Sequence, residues 1–441
     1  MNFSKYLIFC FCLVVNFSVF SNEINNVYGI KDLYAEALFN DPVIKAAAHN
    51  KMMGTAKVEE AFGRFFPQAN LNITTQKVNR TDGDINSKID GNRKSLEINQ
   101  VIFDGQIIKS YEKSKSYEKQ SYFDFDNTKI KRTVFVIESY LNILEKKDEV
   151  DLLEKEIILN EMNLEKVKNL FKRQMATITD VLSVSANNDI LKVSLIDAEN
   201  LLSKEKYSIS EVLGRDFNDA LKIVSDDDVH QISIAWGLDD IIALTLKNNK
   251  EYLSKTQSSE VAALALDESL AEHLPKVNFN ISMQKNNIGY DYVASKDSDV
   301  YAASLQLTIP IYSGGSSYSR NKFYRESLNK NNEELEAVKR SLSKSVTDFF
   351  NEFNSEKKRI KAAKQALNSA EMARVAAEKS FSYGVIDVVD LQDRINKEFK
   401  AKKEFNLSKY KLIKFYLYIN ALIGFLDQKE IDYIDSFFLI P

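Results

Sequence analysis

The sequence predicts a mainly α-helical chain with a small transmembrane β part, laid down as two copies of one unit. Three observations predict it. The first is repetition at an offset of 208 residues: Gly29, Asp32, Ala35, Leu38 and Asn40 recur as Gly237, Asp240, Ala243, Leu246 and Asn248. Pro67, Asn70, Asn72, Ile73, Gln76 and Lys77 recur in the same phase as Pro275, Asn278, Asn280, Ile281, Gln284 and Lys285. Internal repetition of this kind fixes an architecture before any motif is read. The second is a change of hydropathy period from helical to two immediately after Pro67 and after Pro275. The third is the scarcity of helix breakers, with 5 Pro and 13 Gly in 441 residues, which favours a few very long helices.

The chain opens with Met1 to about Ser21, a segment carrying Lys5, an apolar run from Leu7 to Phe20, and then Ser21. A basic start, an apolar middle and a small residue at the end predict a secretory signal over 1–21; a retained membrane anchor is the competing reading. Cys10 and Cys12 both fall within it, so the mature chain is expected to have no disulfide. With 59 basic against 63 acidic residues, nothing points to nucleic acid. No later apolar run reaches the length of a spanning helix, so any membrane contact must be made by strands.

Each copy starts with a short helix, Asp32 to Asn40 and Asp239 to Asn248, and a second one from about Pro42 to Phe66 and Lys250 to Leu274. The strands follow. Leu71 and Ile73, then Val277, Phe279, Ile281 and Met283, alternate with Asn, Thr, Ser and Gln. Their partners are expected around Leu96 and Ile98 and from Tyr301 to Ile311. Strands of about ten to twelve residues suit a tilted bilayer crossing. The same alternation also fits a half-buried sheet in water. Four strands leave two unpaired edges, which hydrocarbon does not tolerate, so a barrel requires other subunits: two copies give eight strands and three give twelve.

Long helices are predicted from about Gln106 to Gln174 and Ser316 to Tyr383, each followed by a shorter one, about Ile178 to Leu213 and Val388 to Ile423. At 1.5 Å per residue the long ones reach roughly 100 Å. Leu153, Ile157, Leu164, Val167 and Phe171, with Leu335, Val338, Leu342, Phe349 and Phe353, fall at coiled-coil spacings and read as packing seams. The second and fourth helices, stacked end to end, nearly match the third. The resulting division is a signal over 1–21, a first repeat over 22–235 and a second over 236–426. The first holds a β-hairpin near 68–104 and a helical hairpin near 106–214. The second holds the equivalents near 276–312 and 316–424. A tail over 427–441 packs near the middle of the helices or is unstructured.

These features, with Leu38-Phe39-Asn40-Asp41-Pro42, Phe66-Pro67-Gln68, the strand exit Ile309-Pro310-Ile311-Tyr312-Ser313-Gly314-Gly315, the tips Thr179-Asp180-Val181-Leu182 and Tyr383-Gly384-Val385, and Leu-Gly or Ile-Gly closures at 214 and 424, resemble the TolC family of outer-membrane efflux and secretion channels. The resemblance runs to about Leu426. It implies a homotrimer with a 12-strand β-barrel in the outer membrane of a Gram-negative bacterium and a 12-helix α-barrel tunnel across the periplasm. It also implies a periplasmic adaptor (membrane fusion) protein and an inner-membrane pump of ABC, RND or MFS type as partners.

The histidines His49, His230 and His273 are scattered, and no nucleophile motif or phosphate-cradling loop appears. The chain is therefore expected not to be an enzyme and to use no cofactor or metal. Asp390 and Asp393, three apart, share a helix face. The resemblance places them as a selectivity ring at the periplasmic aperture; two solvated aspartates are the plain alternative. It gives Thr179 and Asp180 as aperture contacts, and the tips carrying Gln174, Met175, Gly384 and Val385 as adaptor contacts. Two departures stand out: Ile386 replaces an expected Arg, and Gln174 an expected Gly, so an Arg-to-Asp lock is not anticipated. The leading expectation is a passive exit duct, with a structural coiled-coil envelope protein or the adaptor itself as alternatives. The substrate and the particular pump are not legible.

Overall fold

A computed structural model describes residues 27–82, 85–225, 229–287 and 297–439. The expected signal segment at 1–21 lies outside them. The first half contains β1 (Val27–Tyr28), α1 (Ile30–Asn40), α2 (Pro42–Gly63), β2 (Gln68–Asp82), β3 (Ile85–Phe103), α3 (Gly105–Lys172) and α4 (Ile178–Leu213). Next come the short strands β4 (Ala220–Leu221) and β5 (Ile223–Val224). The second half contains α5 (Leu238–Asn248), α6 (Lys250–Leu270), β6 (Lys276–Asn286), β7 (Ser298–Thr308), α7 (Ser316–Ser382) and α8 (Val388–Ile423), followed by α9 (Gln428–Asp435) and β8 (Phe438–Leu439).

The helices start where the sequence supplies caps. The Asp41 carboxylate accepts the Val43 N–H at 2.8 Å with Pro42 in the first helical position, and the Asp104 carboxylate accepts from Gln106 at 2.8 Å. α2 ends at Gly63, short of the expected Phe66, because Phe65 and Phe66 turn back onto the Phe62 and Gly63 carbonyls. α3 and α7 run 68 and 67 residues without a break, about 100 Å each.

α2 lies antiparallel along the first part of α3, from Asp41 against Arg132 to Phe62 against Tyr111. Gly54 makes the approach possible, since a β-carbon there would come within 2.8 Å of the Ser121 hydroxyl. α4 takes over along the far part of α3, where Lys192 meets Glu161. In the second half, α6 fills the space between α3 and α7, with Lys113 on Glu268 to one side and Lys255 on Glu334 at 3.1 Å to the other.

The four long strands form one antiparallel sheet in the order β2-β3-β6-β7, with β2 and β7 as its edges. β2 and β3, at 15 and 19 residues, are longer than the sequence indicated, and pair from Gln68 with Asn99 out to Asp82 with Ile85. β6 and β7 have 11 each, so the first hairpin overhangs the second. Side chains alternate across the sheet. One face carries Leu71, Ile73, Leu96, Ile98, Phe279, Ile281, Met283, Tyr301, Leu305 and Leu307. The other carries Asn70, Asn72, Glu97, Asn99, Asn278, Asn280, Gln284, Ser304 and Gln306.

The main core gathers halfway along the long helices: Ile137, Leu141 and Leu144 of α3, Ile209 and Leu213 of α4, Leu412, Ile413 and Ile423 of α8, and Ile30 and Leu33 of α1. The tail belongs to it. Ile431 and Ile434 of α9 are buried there, and β8 pairs with β5. Tyr140, fully buried, donates its hydroxyl to the Lys222 carbonyl at 2.9 Å and lays its ring edge-on to Phe438.

Candidate functional site: the helical hairpin tips

Two turns close the ends of the helical hairpins farthest from the sheet, and they have the same hydrogen bonds. In the first, Met175 N–H donates to the Leu170 carbonyl at 2.9 Å and Gln174 N–H to Phe171 at 2.9 Å. In the second, Val385 donates to Ser380 at 2.9 Å and Gly384 to Phe381 at 3.0 Å. This is a Schellman helix ending, which needs a left-handed residue at its centre. Gln174 (φ 62°) and Gly384 (φ 70°) fill that place. The residue after each, Met175 and Val385, is 72% and 75% exposed, and Tyr383, Leu182 and Val389 extend the exposed apolar surface.

The returning helices start differently, and this decides which carboxylates are free. Thr177 caps α4 through a reciprocal pair: its hydroxyl accepts the Asp180 N–H, while the Asp180 carboxylate accepts the Thr177 N–H at 2.8 Å and its hydroxyl at 2.7 Å. These donors hold the Asp180 carboxyl below the usual carboxylate range. Thr179 shares a hydroxyl contact of 2.6 Å with Thr177. Both predicted first-tip contacts are thus engaged within their own turn.

At the second tip the capping residue is Asp387, whose carboxylate accepts the Asp390 N–H at 2.8 Å. With the cap filled, the exposed Asp390 carboxylate has no hydrogen bond or ion pair among the described residues. Asp393, one turn on, is exposed but pairs with Lys397 at 2.6 Å.

What joins the two hairpins near the tips was not read from sequence. Val388 buries itself against Val167 of α3 and Val184 of α4, with Phe381 alongside. Ile386 packs with Phe381 on the neighbouring cluster of Leu391, Ile395 and Phe399. Apolar packing therefore occupies the position where an arginine was expected. Between these clusters the buried Asn163 donates to Gln392 at 3.4 Å, and Gln392 donates to Asn396 at 2.9 Å. Val167 was visible as a seam residue. Asn163 and Gln392 gave no signal, being amides in helices rich in polar side chains.

Among the described residues no cluster of His, Cys, Asp and Glu is arranged to hold a metal, and no helix is long and apolar enough to cross a membrane. Residues 241–424 match the family model described as outer membrane efflux protein. The chain is 22% identical over 405 residues to outer membrane protein TolC of Vibrio cholerae, covering 91% of this chain and 92% of that one. It is 22% identical over 427 residues to the alkaline protease secretion protein AprF of Pseudomonas aeruginosa, covering 93% and 87%. Its fold superposes on the crystal structure of CusC with a TM-score of 0.79 at 14% identity, over 92% of this chain and 95% of that one. Duplicated hairpins, the exposed sheet and a match spanning nearly the whole of each relative have one consequence: this chain is similar along most of its length to TolC and to outer membrane channels of that fold.

Proposed function

We infer that the chain is the outer-membrane exit duct of an efflux or type I secretion system, carrying substrates passively from a pump and adaptor to the outside. Its relatives are named as an outer membrane protein, TolC, and as a protease secretion protein, which supports this reading. The observation that carries the reading is the sheet. Its apolar face is open, with Leu71 at 67% and Leu305 at 69% exposure, its other face is lined mainly with amides and hydroxyls, and among the described residues both edge strands are unpaired. A lone four-stranded sheet of this kind is stable in neither water nor lipid, because the apolar face needs hydrocarbon and the edges need partners.

Three copies supply twelve strands, enough for a barrel with the apolar face to lipid and the amide face to a wet lumen. The ring cluster of Phe62, Phe65, Phe66 and Tyr111 at the inner end and Tyr301 toward the outer end suit an aromatic belt at each interface. The helical hairpins of the three copies continue the barrel as a periplasmic tunnel. The units over 22–235 and 236–426 are the two repeats, and 1–21 is the export signal.

At the far end, Asp390 and Asp393 ring the periplasmic aperture, with Thr179 and Asp180 beside them. Gln174, Met175, Gly384 and Val385 present the apolar surface on which an adaptor seats. Asp390 carries most of the ring's charge, since Lys397 offsets Asp393.

The test is the detergent-corrected mass of the mature protein together with its conductance in planar bilayers. A trimer that inserts and conducts supports the duct. A monomer or dimer that remains soluble without detergent removes it.

A further inference from the structure

Resting on the barrel reading, we propose that Lys94 and Lys285 form a binding site on the lipid-facing wall for a phosphate-bearing lipid headgroup of the outer leaflet. Strand register places them. Leu71, Leu96, Met283 and Tyr301 lie side by side across β2, β3, β6 and β7, the outermost wholly apolar row of that face. Two residues farther from the helices, on the same face, the next row is Ile73, Lys94, Lys285 and Asp299. The apolar side chains from Leu307 to Tyr301 span about 20 Å along β7, so the lysines stand at its outer margin, where headgroups begin.

The pair is anomalous as protein. Lys94 and Lys285 are direct partners in the β3–β6 ladder, and like charges directly opposite one another destabilise a sheet. Asp299 reaches Lys285 only at 4.0 Å, and Lys94 has no ion pair among the described residues. Association with further copies does not cure this. β3 and β6 are the inner strands, so the lateral neighbours of Lys94 are Ile73 and Lys285 whatever pairs with β2 and β7.

Lys77 and Lys88, both exposed, lie on the same face of the overhanging first hairpin, with Asp90 in register opposite Lys77, so this stretch adds one net positive charge. Lys276, at the helical end of the sheet, shows the contrast: it is matched by Asp104 at 3.4 Å and by Gln106. Lysine charge that the sheet only partly offsets, at Lys94 above all, thus sits at the outer margin of a face otherwise built for hydrocarbon. A lipid phosphate satisfies both requirements, since its acyl chains cover the row of Leu71, Leu96 and Met283 while its charge sits between two ammonium groups.

The test uses the full mature protein in neutral detergent, titrated with deep-rough lipopolysaccharide, the same glycolipid after removal of its phosphates, phosphatidylethanolamine and inorganic phosphate, with bound lipid read by native mass spectrometry. Lys94→Gln and Lys285→Gln are each expected to weaken lipopolysaccharide binding about fivefold, and the double variant about twenty-five-fold. Lys94→Arg should retain binding, Lys166→Gln on α3 should not change it, and added salt should weaken it in the wild type.

The proposal is overturned if the double variant binds as the wild type does, or if the dephosphorylated glycolipid binds equally well. It is also overturned if millimolar inorganic phosphate displaces the lipid, which would make this a free-anion site. Conductance separates this failure from that of the barrel reading: lysine variants that insert and conduct but bind lipid normally dispose of the site alone, whereas a protein that never enters a bilayer disposes of both.

Discussion

Gln174 and Gly384 occupy the same place in two matching turns and share a left-handed backbone, one with a side chain and one without. A non-glycine residue there costs about 1–2 kcal/mol, because its β-carbon crowds the following carbonyl. Gln174→Gly is therefore expected to steady the first tip and Gly384→Gln to loosen the second by about 1 kcal/mol, the gain being tempered by glycine's larger unfolded-state entropy. Amide exchange over 170–178 and 380–388 measures both. Equal protection in all variants would mean that neighbouring packing, and not the turn, sets tip stability.

Asp41 is 0% exposed and its carboxylate meets the Arg132 guanidinium at 2.5 Å while also capping α2. Asp41→Ala leaves Arg132 half-desolvated without a partner and removes the cap. The expected loss is about 3–5 kcal/mol, read from the denaturant midpoint. Arg132→Met, which removes the cation but keeps its stem on the Phe135 ring, should leave a buried carboxylate and cost a similar amount.

Burial pushes the Glu156 carboxyl up to about 7, with Lys403 opposing the shift only partly. The folded chain then keeps this proton over a range in which the unfolded chain has lost it. Stability therefore falls as pH rises from the ordinary carboxylate range toward 7, and the loss is complete above it. Glu156→Gln should flatten this dependence and raise the unfolding temperature at pH 8 relative to the wild type. A variant with an unchanged pH profile would place the titration elsewhere.

If the second tip forms a charged ring, its two aspartates are unequal. Asp390→Ala should reduce cation preference and multivalent-cation block in planar bilayers more than Asp393→Ala, because Asp393 is already paired with Lys397. Lys397→Gln should increase both properties by freeing Asp393. Identical selectivity across the three variants would return these residues to an ordinary solvated helix face.

Val388 links the second hairpin to the first through Val167 and Val184. Val388→Asp introduces a charge into that contact, and the helices are expected to separate there, raising single-channel conductance and access of periplasmic reagents to a cysteine placed at 392. Unaltered conductance would show that the aperture is held by contacts between copies rather than within one.

The long helices were legible because breakers are scarce and seams such as Leu153, Ile157, Leu164 and Val167 keep coiled-coil spacing. The far half of the first β-hairpin was not. Beyond Ile73 its residues, Gln76, Lys77 and Asn79 among them, are mostly polar, with only scattered apolar positions such as Val78 and Ile89, so the ladder continues where hydropathy has too little alternation to show it. The tip residues named from the resemblance could be placed, but not their division of labour. That Asp180 serves its own helix while Asp390 does not follows from Thr177 having a hydroxyl to donate and Asp387 lacking one, a difference that appears only once the caps are seen. The amide contact of Asn163 with Gln392 joins residues from separate repeats, and no local pattern announces it.

The tail has a consequence in time as well as space. The Asp435 carboxylate accepts the Ile30 N–H at 2.9 Å and the Lys222 ammonium at 2.8 Å, so the last helix fastens the first helix to the segment joining the two halves. That clasp cannot close until α9 has been made, so the middle of the chain stays unfastened until then, and loss of α9 would release the first helix and the joining segment together.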